Sequence, residues 1–218
     1  MTAAPPFVVA IDGPAASGKG TLARRLAEKF GLAHLDTGKL YRATGFLVLE
    51  AGADPTDPTA AEAAAARLDP SGLADPRLLG EAVARAASLV AAIPGVRAAL
   101  LQFQRNFAMH PPSPAAGAVL DGRDIGTVVC PDASVKLFIT ASTEARAERR
   151  FRELRQRGET PIYGDVLQDM KERDARDSGR SAAPLVPAPD AVILDTTRRD
   201  ADEVLEQASA LVARALGR

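Results

Sequence analysis

The stretch FVVAIDGPAASGKGT, residues 7 to 21, sets an apolar, β-branched run directly against a glycine-rich loop. The run is short and closed by Gly-Pro, which predicts a buried strand over 7–12. Beyond the loop, Leu22, Leu26 and Phe30 recur every four residues, which predicts a helix over 18–30 with Gly31 as its stop. Between Gly13 and Gly18 lie Pro14, Ala15, Ala16 and Ser17, and Lys19 follows, giving the G-x-x-x-x-G-K spacing of a phosphate-binding loop. Glycine lets backbone N–H groups curl around an anion, the helix N-terminus adds a positive dipole end, and Lys19 supplies a mobile charge. A glycine turn with a solvated lysine is the bland alternative, and it leaves the agreement of strand, spacing and helix unexplained.

The next two residues narrow the chemistry. The hydroxyl usually found after the lysine, a common magnesium ligand, is replaced by Gly20, and Thr21 follows. That weakens the case for a GTPase switch, and no N-K-x-D stretch for reading guanine is present. GKGT resembles the nucleoside monophosphate kinases, in which magnesium is held largely through waters and phosphates, so no direct protein ligand for the metal is assigned.

Composition limits the remaining classes. A chain of 218 residues fits one domain with a small appended lobe. Its 27 Lys and Arg nearly cancel 28 Asp and Glu, so no global field points to nucleic acid or a membrane surface. Cys130 is the single cysteine, and His34 and His110 are the only histidines, too few for a disulfide framework or a zinc cluster. The N-terminus lacks the charged start of a signal peptide, and no apolar run approaches the ~20 residues of a membrane span. The expectation is a soluble, cytoplasmic monomer.

Along the chain, short apolar strands alternate with helices, which predicts a parallel sheet covered on both faces. Strands are expected at 33–35, 118–121, 134–140 and 191–195, and helices at about 38–50, 78–92, 94–109, 142–157, 163–177 and 201–215. Asp200 and Glu203 resemble a capping box for the last of these. Residues 51–77, rich in proline and alanine, read as turns and one short helix. HPPSPAAG (110–117) reads as a loop.

Transfer of a phosphoryl group needs positive charge on the acceptor phosphate and on the group in flight, and the planar fork of arginine serves this best. Four stretches bring arginine to plausible positions: DTGKLYR (36–42), ARAASLVAAIPGVR (84–97), DGRDIGTVVCPDA (121–133) and KERDARDSGR (171–180). Each also has a plain structural reading. Tyr41 and Arg42 would make an ordinary helix surface, Asp121 a cap, and Arg173 with Asp177 a helix ion pair. The run ERRFRELRQR (148–157) reads as a solvated face interleaved with a core stripe of Ala147, Phe151 and Leu154. Cys130 reads as a small buried residue.

Taken together, GPAASGKGT, LDTGKLYR, ARAASLVAAIPGVR, DGRDIGTVVCPDA and KERDARDSGRSAAPLVPA resemble the bacterial cytidylate kinase family, in the family's order and over nearly the whole chain. The resemblance implies transfer of the ATP γ-phosphate to CMP or dCMP, with Mg2+ accompanying ATP. It implies an α/β P-loop fold of three layers, with a five-stranded parallel sheet, a core of residues 1–50 and 78–218, a helical lid at about 157–182, and a small, mostly helical acceptor-side insert at 51–77. It assigns Gly13 to Thr21 to ATP, and Lys19, Arg42, Arg123 and Arg180 to the phosphates. Thr37, Arg97 and Asp124 fall to the cytosine, and Ser88, Arg173 and Asp177 to the sugar. The chemistry of cytosine agrees, since a carboxylate accepts from its N4 amino group while an arginine donates to N3 or O2. Thr37 stands where members often carry serine, RDSGR replaces a more arginine-rich lid, and the insert is short. The nearest enzyme alternative is a P-loop kinase acting on UMP, AMP or shikimate. A non-catalytic nucleotide-binding regulator is the alternative from another class.

Overall fold

A computed structural model describes residues 6–217. The reading of the extreme N-terminus therefore lies partly on residues 1–5, outside the described part. Five strands form one sheet: β1 (Phe7–Asp12), β2 (Ala33–Asp36), β3 (Gly117–Gly122), β4 (Val135–Thr140) and β5 (Val192–Asp195), in the order β2-β3-β1-β4-β5. Every pairing is parallel, with Asp12 opposite both Gly122 and Phe138, and Asp36 opposite Asp121. Val9, Ala10 and Ile11 are fully buried because β1 is central and covered on both faces. One face packs Leu22, Leu26, Val204 and Val212, and the other packs Leu35, Ala108, Leu120 and Ile125. Burying one such aliphatic side chain stabilises by about 1.5–3 kcal/mol.

The helices are α1 (Lys19–Phe30), α2 (Thr37–Glu50), α3 (Pro58–Ala66), α4 (Glu81–Val90), α5 (Pro94–Met109), α6 (Thr143–Gln156), α7 (Tyr163–Ser178) and α8 (Ala201–Ala215). Gly31 closes α1 in the left-handed region, Pro94 opens α5, and Asp200 and Glu203 form a full capping box on α8. The helix expected at 78–92 is shorter. Asp75 caps a separate 3-10 turn, Pro76–Leu79, and Gly80 breaks the chain before α4. Residues 51–77 contain α3, whose first turn Asp57 caps, and a second 3-10 turn, Pro70–Ala74. After β3 the chain makes a π-turn over Ile125–Val129. No single helix among the described residues is long and apolar enough to cross a membrane.

Because all strands run one way, their carboxyl ends gather Asp12, Asp36, Asp121, Thr140 and Asp195 on one edge. In open α/β sheets this is where ligands bind. The phosphate loop leaves β1 there.

Candidate active site

The phosphate loop is built by backbone that only small residues tolerate. Gly13 has φ +152°, and a Cβ on it would lie 2.1 Å from the carbonyl oxygen of Ile139. Gly18, at φ +92°, is the N-cap of α1, so the first free N–H groups of that helix point toward the loop. Lys19 folds back, its Nζ donating to the carbonyl of Pro14 at 3.1 Å. Burial, reinforced by the nearby Arg123 guanidinium, lowers the Lys19 ammonium to about 7. The Asp121 and Asp36 carboxylates pull the other way without outweighing burial, and a bound phosphate would add its charge to theirs.

A cavity of about 360 Å³ opens beside Lys19, walled by Gly20, Asp36, Arg42, Arg123, Arg150 and Arg173 among others. A second space of about 60 Å³ adjoins it, lined by Thr37, Ser88, Arg97, Asp124, Asp177 and Arg180 among others. The two share Gly38, Arg42, Gly122, Arg123 and Arg173 as a common wall. All the acceptor-side residues singled out in the sequence are thus brought together, from α2, α4, α5, the segment after β3, α7 and the turn that follows it.

Their contacts follow from charge and burial. Arg97 of α5 pairs with Asp124, and the Arg97 guanidinium lies over the Tyr41 ring, 5.4 Å from its centroid. Tyr41 therefore lines the smaller space rather than a free helix surface. Thr37 Oγ donates to the Asp121 carbonyl at 2.8 Å, and Arg42 donates to the Leu78 carbonyl at 2.8 Å. Arg123 Nε donates to Asp177 at 2.8 Å, and Arg180 also pairs with Asp177. Burial disfavours the Asp177 carboxylate, yet Arg123, Arg180 and Arg173 outweigh it and hold the group well below the usual carboxylate range. The helix ion pair between Arg173 and Asp177 does not form. Arg173 Nε is buried without a hydrogen-bond partner, and burial, with Arg123 next, pulls its guanidinium down to about 9. Ser88 Oγ instead receives a hydrogen bond from Arg176 Nε at 3.2 Å.

Asp121 does not act as a cap. Its Oδ1 accepts from His34 Nε2–H at 2.8 Å. Asp36 sits opposite it across the strands, and burial together with the Asp121 charge raises the Asp36 carboxyl. Among the described residues no group of three or more His, Cys, Asp and Glu could cage a metal ion. The paired carboxylates Asp36 and Asp121 are hard oxygen donors beside the phosphate cavity, and this chemistry fits Mg2+ coordinated mainly by phosphates and water.

The reading of 148–157 as a solvated face needs correction, and its helix holds residues that sequence reasoning missed. Just before that run, Arg146 is buried, binds both carboxylate oxygens of Asp174 at 3.0 and 2.6 Å, and reaches the Ala15 carbonyl of the phosphate loop at 3.3 Å. Arg149 donates to Thr196 Oγ at 3.0 Å, and Thr196 Oγ donates to the Ser17 carbonyl at 3.0 Å. Arg150 lines the phosphate cavity and pairs with Glu81 and Glu153. Periodicity shows that Ala147, Phe151 and Leu154 face the core, but it cannot show that a neighbouring helix and the loop meet the opposite flank. Cys130 is half-buried rather than buried, and desolvation pushes its thiol up to about 11. A further cavity of about 280 Å³ lies behind the loop, between Ser17, Thr21, Arg149, Thr196 and Arg199.

Comparison with known proteins identifies the family. The model of the cytidylate kinase family matches residues 9–214. The chain belongs to the cytidylate kinase family. It is 61% identical over 207 residues to the cytidylate kinase of Rhodospirillum rubrum, covering 95% of this chain and 97% of that one. It is 57% identical over 212 residues to the cytidylate kinase of Azorhizobium caulinodans, covering 97% and 100%. Among solved structures, a gluconokinase from Sinorhizobium meliloti aligns over 96% of this chain and 93% of its own at a TM-score of 0.51 and 15% identity, a likeness of fold alone.

Proposed function

We propose that the protein transfers the γ-phosphate of ATP to CMP or dCMP, giving ADP and CDP or dCDP. The observation that carries this reading is the shared wall between the phosphate cavity and the space holding the Arg97–Asp124 pair. A donor held by the loop and an acceptor read by that pair would bring their phosphates together among Arg42, Arg123 and Arg173.

ATP lies with its phosphates on Gly13 to Thr21 and Lys19, and its base toward the cavity formed by Arg149, Thr196 and Arg199. Thr37, Arg97 and Asp124 face the cytosine. The Asp124 carboxylate accepts from the N4 amino group and Arg97 donates to N3 or O2, whereas uracil would leave both mismatched in a desolvated site, where discrimination is large. Ser88, Arg173 and Asp177 face the sugar, and Arg42, Arg123 and Arg180 hold the acceptor phosphate. The acceptor phosphate oxygen is itself the nucleophile, so positioning and charge neutralisation suffice and no strong general base is required. The acceptor-side ion pairs part as the nucleotide enters. A lid of about residues 157–182 then closes, excluding water that would otherwise take the phosphoryl group. Bound with ATP beside Asp36 and Asp121, Mg2+ would neutralise charge on the phosphate oxygens.

Residues 51–77 form the acceptor-side insert on the core of 1–50 and 78–218. The reading takes the protein to act as a monomer. Nearly balanced charge supports small-molecule partners rather than nucleic acid or a membrane surface, and the reading places the activity in the cytoplasm. A coupled ADP-release assay with ATP and magnesium, offering CMP, dCMP, UMP, AMP and GMP separately, tests the reading. Turnover of CMP and dCMP well above the others is expected. A preference for another acceptor overturns the pocket assignment, and ATP binding without turnover of any acceptor overturns the kinase.

A further inference from the structure

Asp12, the last residue of β1, has no part in the roles above, yet it is 4% exposed and both of its carboxylate oxygens are engaged. Oδ1 accepts from the Ile125 N–H at 2.7 Å and Oδ2 from the Gly126 N–H at 2.8 Å. Those two N–H groups open the π-turn that follows Arg123 and Asp124. The pairing of β1 with β3 ends at Asp12 and Gly122, so Arg123 and Asp124 have already left the ladder. On its other side, Asp12 is bonded directly to Gly13, where the phosphate loop begins. One rigid side chain therefore joins the strand that launches the donor loop to the segment carrying Arg123 and Asp124. We propose that Asp12 is a positioning residue that holds the Arg123–Asp124 segment in register with the phosphate loop, so that Asp124 meets the acceptor base.

The residue type is informative. Serine or asparagine offers one side-chain oxygen, which the two buried N–H groups would have to share. A carboxylate satisfies both from a single short stem. Its cost is desolvation, which pushes the Asp12 carboxyl up to about 6 against the pull of the two N–H groups. Around it, Asp124 raises and Arg123 lowers that value, Cys130 lies close enough for the Asp12 charge to raise its thiol, and the Lys136 stem of β4 runs past Gly126 with its Nζ committed to Asp190. Protonation turns one oxygen into a donor and strips one N–H of its acceptor. The inference rests on the base-reading role proposed for Asp124.

Asp12→Asn tests it, since the amide keeps one acceptor and turns an NH2 group toward an N–H. We expect kcat/KM for CMP to fall about tenfold to a hundredfold through the KM for CMP. The preference for CMP over UMP should narrow while the KM for ATP stays put. A folded variant with CMP KM unchanged, or with CMP and ATP weakened alike, overturns the proposal.

Should that variant not fold, the native protein carries the test through pH. The ratio of kcat/KM for CMP to that for UMP is expected to drop as pH falls through about 6, and the nucleotide 5′-phosphate, which titrates near ~6 in both acceptors, cancels in the ratio. The folded Asp12 value lies above the unfolded one, so its contribution to stability grows as pH falls through this range. A drop in the ratio with the melting temperature retained supports the proposal. A flat ratio, or a drop that tracks unfolding, overturns it. Native protein that turns over no CMP overturns the functional reading instead, which keeps the two failures apart.

Discussion

Asp124→Asn probes the base-reading pair with little change of shape. The backbone carbonyl of Asp124, which accepts from Val128 and Val129 at 2.9 and 3.1 Å, is untouched, so the π-turn should persist. What changes is the polarity of one side chain. A carboxylate only accepts and so suits the N4 amino group of cytosine, whereas an amide can turn to present either an oxygen to cytosine or an NH2 to the O4 of uracil. The side chains of Arg97 and Asp124 are 10% and 7% exposed, so water cannot compensate a mismatch fully. A well-placed pair of this kind is worth about 1–3 kcal/mol of discrimination. The ratio of kcat/KM for CMP to that for UMP should accordingly narrow by about 5- to 160-fold. Some stability is also lost, about 1–3 kcal/mol, because Arg97 exchanges a charged acceptor for at best a neutral amide oxygen, beside the Tyr41 ring and the Ala91 carbonyl. The assay is coupled ADP release with CMP, dCMP and UMP offered separately at saturating ATP, with circular dichroism to establish folding. A folded variant whose CMP-to-UMP ratio matches that of the native protein would refute the assignment of base reading to Asp124.

Three further outcomes are expected. Arg180→Ala should lower kcat by about 10²–10³-fold if this side chain, now on Asp177, moves to the phosphates on closure; kcat unchanged in folded protein counts against that role. Arg146→Met removes the two-pronged bond to Asp174 and the link to Ala15. Because Asp174 is partly exposed, the cost should fall below the about 3–5 kcal/mol of a fully buried pair, at about 2–3 kcal/mol, and thermal denaturation should show Tm lower by roughly 5–10 °C. Lys19, lowered to about 7, is mostly neutral at pH 8 and regains its proton against a triphosphate. Calorimetric titration in buffers of different ionisation enthalpy should therefore show uptake approaching one proton per ATP, and zero uptake contradicts the reading.

The sequence by itself determined the central strand, the phosphate loop and its helix, since a β-branched run, a fixed glycine spacing and a fourfold apolar repeat are all local signals within residues 7–30. It also marked Arg97, Asp124, Arg123 and Arg180 through stretches that carry a family resemblance, although they lie on different elements. Partnership was decided only by the tertiary structure. Arg173 and Asp177, four apart on α7, looked like a pair, but Asp177 lies where Arg123 arrives from the end of β3 and Arg180 folds back beside it. Arg146 looked no different from its arginine neighbours on α6 until α7 brought Asp174 against it and the loop presented the Ala15 carbonyl. Asp12 read as the last residue of the first strand, whereas its side-chain partners lie 113 and 114 residues away. The physical reason is common to all three. Periodicity and spacing report how a segment meets its own helix or strand, while the cost of burying a charge is settled by whichever groups the fold brings to meet it.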